Sequence, residues 1–178
     1  MSAYDVHAWA EFGVAAAGAA AVLAGLVFVA VSINLDKVVE VRGLAGRGGE
    51  SIVMFVGALI ASLLLLVPGQ SNTALGVELA VGGGILALGL VLIAWPGIKL
   101  QSHQPMSWRI TRIVAALATS VPIFLAGVSL LAEWGGGLYW LLAAVAFAFL
   151  AGIGNAWVLL VEVVRDERYR PVAPRERP

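Results

Sequence analysis

Cysteine is absent from this chain, so any chemistry it performs must come from its two histidines, its carboxylates or its hydroxyls. Without thiols there are no disulfides, thiolate nucleophiles, iron-sulfur clusters or cysteine-bound zinc. His7 and His103 fall outside the long apolar stretches and on opposite sides of them, so neither can activate a serine within those stretches. The same placement prevents a two-histidine metal site within one subunit. A paired-aspartate protease needs two carboxylates sharing one proton, and no aspartate lies inside an apolar stretch. The glycine-rich segment Gly43 to Gly49 invites comparison with a phosphate cradle, but no lysine followed by Ser or Thr completes it, and it reads as a flexible turn. Arg109 and Arg112 share the three-residue spacing of voltage-sensor arginines, yet two such residues at a helix end act as interface anchors. No catalytic, cofactor or metal site is expected, and the chain reads as non-enzymatic.

The candidate polar residues in or beside the apolar stretches are Asn34, Asp36, Glu78, Thr119, Ser120, Asn155 and Glu162. Ionisable residues within a membrane raise the expectation of a pathway or a partner. Asn155 and Glu162 stand two helical turns apart and share a face with Ala144, Ala148 and Gly152. Glu162 falls at the depth of Asn34 and Asp36, which predicts a polar cluster at one mouth of a bundle. The alternative is that Asn155 makes an interhelical hydrogen bond and Glu162 pairs with Arg165 or Lys37. Glu78 is in line with Gly82 and Gly89, so its carboxylate is expected to face a close-packed groove or to snorkel to water. Pro122 cannot donate to the carbonyl of Ala118 and predicts a kink, near which Thr119 or Ser120 can satisfy freed backbone groups. Ala144, Ala148 and Gly152 form a small-residue seam, suited either to packing within the chain or to an oligomer.

These positions depend on the elements that carry them. Of the 178 residues, 61% are hydrophobic and 12% charged, against about 25% charged in a soluble domain. That composition excludes a soluble globular protein, and the zero net charge gives no reason to expect nucleic acid. Crossing a bilayer takes about 20 apolar residues. Five stretches approach or exceed that length: 12–35, 51–67, 73–95, 110–132 and 138–164. The start of the chain lacks the cations of a secretory signal, and its apolar run is too long for one, so it reads as a retained first span. The segments Arg42–Glu50, Pro68–Asn72, Pro96–Trp108 and Glu133–Gly137 are expected to be connections.

All eleven Lys and Arg residues fall in the first and third loop regions and the tail, and none on the opposite side. Because cationic residues stay cytoplasmic, this places the N-terminus outside and the C-terminus in the cytosol. Trp9, Trp134, Tyr139 and Trp140 would mark the outer belt, and Trp95 and Trp108 the inner one. The expected fold is therefore all-α: one five-helix transmembrane domain over residues 1–164, with a disordered cytosolic tail over 165–178, in the cytoplasmic membrane.

The stretch Phe28-Val29-Ala30-Val31-Ser32-Ile33-Asn34-Leu35-Asp36, followed by Leu66-Val67-Pro68-Gly69-Gln70-Ser71, resembles an uncharacterised actinobacterial family of small multi-spanning membrane proteins. Some members carry the label of modulators of a membrane protease. The resemblance covers the first two spans and implies no site residues. With the bilayer and either further copies or other membrane subunits as partners, the expected function is a helix-packing subunit or modulator of a membrane complex. The alternative is a small homo-oligomeric channel or permease.

Overall fold

The computed structural model describes residues 3–40, 44–100 and 106–169, without the side chains of Lys37, Leu44, 95–100, 106–109, 159–160 and 162–169. All regular structure among the described residues is helical. A short 3-10 turn at Val6–Trp9 leads into α1 (Ala10–Ile33), followed by α2 (Leu35–Glu40), α3 (Leu44–Leu64), α4 (Asn72–Leu100), α5 (Met106–Ala132) and α6 (Tyr139–Tyr169). Five of these elements contain helix long and apolar enough to cross a membrane: Val6–Ile33, Ala45–Leu64, Asn72–Ala94, Ile110–Ala132 and Tyr139–Val158. They make this a multi-pass membrane protein.

Two boundaries differ from expectation. The segment Gly43–Gly49 is not a flexible turn where it is described, because α3 begins at Leu44 and carries Gly46, Gly48 and Gly49 in helical conformation. A glycine costs about 1 kcal/mol against alanine in a helix, so local preference opposes this extension. Contacts that Arg47, Glu50 and Ser51 make with the rest of the bundle offset that cost. At the other end of the chain, α6 continues past Val164 to Tyr169 and converts the start of the expected tail into helix. Nothing in 165–169 interrupts a helix, and the first proline beyond it is Pro171. Residues 170–178 lie outside the described residues.

Helix α3 is the hub. It packs on α1, α4 and α6, while α5 closes a four-helix ring by packing on α4 and α6; α1 lies outside that ring, against α3. In hydrocarbon there is little hydrophobic gain from bringing helices together, so the contacts depend on close approach over small residues. The α4–α5 crossing illustrates this: a Cβ on Gly83 would lie 2.5 Å from the Phe124 backbone nitrogen, and one on Gly127 would overlap the backbone of Gly76 and Ala80. On α1 the same role falls to Gly13, Ala16, Ala17 and Ala20, all buried against α3. The interior is filled at both levels, by Leu75, Leu79, Leu138 and Leu141 toward the N-terminal end and by Met54, Ala58, Leu90 and Ala148 beyond them.

The end of the bundle that carries the N-terminus is tied to the turn between α5 and α6. Leu138 N donates to Ala3 O at 2.9 Å, Gly136 N donates to the Tyr4 hydroxyl, and Asn72 Nδ2 donates to Tyr4 O at 3.0 Å. Ser129 Oγ accepts from Gly137 N at 2.7 Å and donates to Trp134 O. Gly135, Gly136 and Gly137 all have positive φ, and a Cβ on Gly137 would overlap the Ala3 carbonyl.

The α4–α5 crossing yields a paired test. Gly83→Leu should destabilise the protein by about 1–3 kcal/mol or prevent folding, as overpacking does. Gly82→Leu, one residue away and with open space before its Cβ, should leave the thermal midpoint in detergent unchanged or raised.

Candidate functional site

The end opposite the N-terminus, where α3 and α5 begin, holds the densest polar cluster among the described residues. Glu50 and Ser51 occupy the second turn of α3, and Arg47 lies one turn earlier on the same face. Arg112 lies in the second turn of α5. Helix packing brings these residues together: Arg112 donates from Nε to Glu50 Oε2 at 3.3 Å and from Nη2 to Glu50 Oε1. Both side chains are buried, at 7% and 3% exposure. The guanidinium thus meets the carboxylate as a two-pronged fork, the geometry that best recovers the desolvation of both charges. Gly46 lies alongside it, and a Cβ there would meet Arg112 Nη2 at 3.7 Å, an ordinary contact. The single Ser51 hydroxyl proton lies between two carbonyls, Arg47 O at 3.1 Å and Gly152 O at 3.2 Å from Oγ, and as a shared donor it links α3 to α6.

A cavity of about 340 Å³ opens beside this cluster, lined by Arg47, Thr111, Arg112, Ala115, Leu150, Ala151, Gly154, Asn155 and Val158. Asn155 therefore reaches a polar site, but with different companions from those expected. Asn34 and Asp36 do not line the cavity. Asn34 Nδ2 instead donates to Ala30 O at 2.9 Å and closes α1, while Asp36 is exposed on α2. The side chain of Glu162 lies outside the described residues.

The other candidate residues are dispersed. Thr119 and Ser120 are fully buried, and their hydroxyls donate to Ala115 O and Ala116 O at 3.0 and 2.8 Å. Each hydroxyl thus reaches back one turn to a backbone carbonyl of its own helix. Ala144, Ala148 and Gly152 are buried inside the bundle, and a Cβ on Gly152 would overlap the ring of Phe55. That seam is filled by this chain's own α3.

Glu78 does share a groove with Gly82 and Gly89, but the groove is open where close packing was expected. Its volume is about 490 Å³, its walls come from α3 and α4 with Ile123 of α5, and Glu78 is the one ionisable residue lining it. Glu78 is exposed and accepts from Gln70 Nε2, which leaves Gln70 Oε1 buried with no donor among the described residues. Glu78 lines the α3–α4 groove and Asn155 the cavity at the arginine end, Thr119 and Ser120 line neither, and Leu79, Leu90 and Phe55 fill the interior near them.

Sequence reasoning missed Arg47, Glu50 and Ser51 because it placed the first two in a loop, and it read Arg112 as an anchor. One signal was available. Glu50 is an acidic residue immediately before an apolar span, on the side where the cations gather, and three residues after Arg47.

The buried pair predicts a non-additive mutant cycle. Arg112→Leu alone should cost about 3–5 kcal/mol by stranding Glu50, and adding Glu50→Leu should recover most of that loss, as read from thermal or denaturant unfolding in detergent. No family model, curated protein or solved structure matches this chain.

Proposed function

We propose that this protein is a non-enzymatic subunit or modulator of a membrane complex, and that it receives a transmembrane helix of another protein in the groove between α3 and α4. The open groove carries this reading. From Glu78 to Ile93 it follows sixteen residues of α4, about 22 Å at the helical rise, most of the hydrocarbon thickness. Gly82 and Gly89 lie seven residues apart on one face, and a Cβ on either would meet nothing within this chain. Internal packing therefore does not account for these two glycines, each of which weakens α4. Small residues facing outward along a groove are what close helix approach in lipid requires.

Glu78 favours a foreign helix over a second copy. A carboxylate at this level pairs best with a cation. Arg47 and Arg112 lie at the other end of the bundle, and the charge pattern of the sequence assigns the remaining cations to that same side, so a copy inserted in the same direction brings none to Glu78.

The charge bias further supports a cytoplasmic-membrane protein with its N-terminus outside. Because the chain has no cysteine, single substitutions report its orientation directly. Glu133→Cys should react with a membrane-impermeant maleimide on intact cells, and His103→Cys only after permeabilisation; the reverse pattern overturns the orientation.

The groove itself is tested with the Gly82→Leu, Gly89→Leu double variant. Native mass spectrometry of the protein from mild detergent should show it in a complex heavier than the 18.5 kDa chain. The double variant should run as the monomer with an unchanged thermal midpoint. A wild-type monomer carrying only lipid, or a complex untouched by the substitutions, overturns the reading.

A further inference from the structure

The cavity at the arginine end has the chemistry of a phosphate site. Its lining contains two guanidiniums, Arg47 and Arg112, with Thr111 and Asn155 as neutral polar groups and no carboxylate. Glu50 engages Arg112 through Nε and Nη2. A guanidinium carries five N–H donors, so one such fork leaves donors over and holds the group in a fixed orientation. Both arginines are buried, with 7% and 8% of their surface exposed.

Position narrows the class of ligand. Arg47 lies in the polar stretch just before the apolar run 51–67, and Thr111 and Arg112 open the run 110–132, so the cavity sits near the level where hydrocarbon gives way to headgroups. Its remaining wall, Leu150, Ala151 and Val158, is apolar. Basic pockets between transmembrane helices at this depth bind anionic headgroups.

We infer that the cavity between α3, α5 and α6 binds a phosphate group through Arg47 and Arg112, with Asn155 completing the site. The ion pair with Glu50 positions Arg112 for this, and the apolar wall accommodates the glycerol and first methylenes when the phosphate belongs to a lipid. Arg47 and Asn155 are the two residues whose replacement leaves the Glu50–Arg112 fork in place.

The test uses full-length protein in mild detergent, titrated with phosphatidylglycerol, phosphatidylcholine, inorganic phosphate or chloride at matched ionic strength, and read by native mass spectrometry and thermal midpoint. Phosphatidylglycerol should be retained and stabilising where phosphatidylcholine is not. Arg47→Gln or Asn155→Leu should weaken retention of phosphatidylglycerol about tenfold, the scale of one lost charge-assisted hydrogen bond, and should leave the weak retention of phosphatidylcholine unchanged, which a general loss of stability would not do. Stabilisation by inorganic phosphate with no preference between the two lipids also supports the site and assigns it to a soluble phosphate. The inference is overturned if neither anion is preferred over its control, or if both variants bind like the wild type.

Discussion

Hydrocarbon removes the usual reason for helices to associate, because lipid tails solvate leucine as well as another helix does. What remains is how near two backbones can come. In this protein the nearest approaches are made at Gly83 and Gly127 between α4 and α5, and at Gly152 beneath Phe55 between α6 and α3. These contacts set the spacing of the ring, and the ring in turn brings the beginning of α5 against the beginning of α3. The Glu50–Arg112 pair follows from that packing: two charges separated by 62 positions in sequence are placed within hydrogen-bonding distance and screened from water by helices held close. Were the crossings looser, water would enter and the pair would weaken toward the small worth of an exposed one.

The two ends of the bundle are held by different chemistry. At the N-terminal end the ties are backbone groups: Ala3 and Tyr4 exchange hydrogen bonds with the glycine turn and with Asn72. Trp9 meets Phe12 and Tyr139 edge to face, at centroid separations of 5.5 and 5.1 Å. Such ties are satisfied and leave little to offer a ligand. At the arginine end the ties are charged side chains around an open cavity, and charge that is held in place but not fully enclosed is available to a ligand.

Element type and number were legible in the sequence because both follow from apolar length, and five runs of sufficient length stand between breaker-rich connections. What could not be read was the beginning of α3. Gly46, Gly48 and Gly49 argue locally for a turn, and only contacts with α5 and α6 make the helix extend through them. The same omission hid Glu50, whose partner lies on another helix. Glu78 was legible in its facing but not in its surroundings: the alignment with Gly82 and Gly89 is a property of one helix, whereas the openness of the groove depends on how far α3 stands from α4.

The glycines therefore divide into two kinds that composition alone cannot separate. Gly76, Gly83, Gly127 and Gly152 have a neighbouring helix where a Cβ would be, so their cost in helix propensity is returned as contact. Gly82 and Gly89 have the same local cost and no such return within the chain. Lipid tails conform to many surfaces and do not require a groove floored by glycine, whereas a second helix does, since its own backbone and side chains need that depth. The position of Glu78 at one end of the groove reinforces the distinction. There it already accepts from Gln70, and a helix carrying a cation at the same level would pair with it.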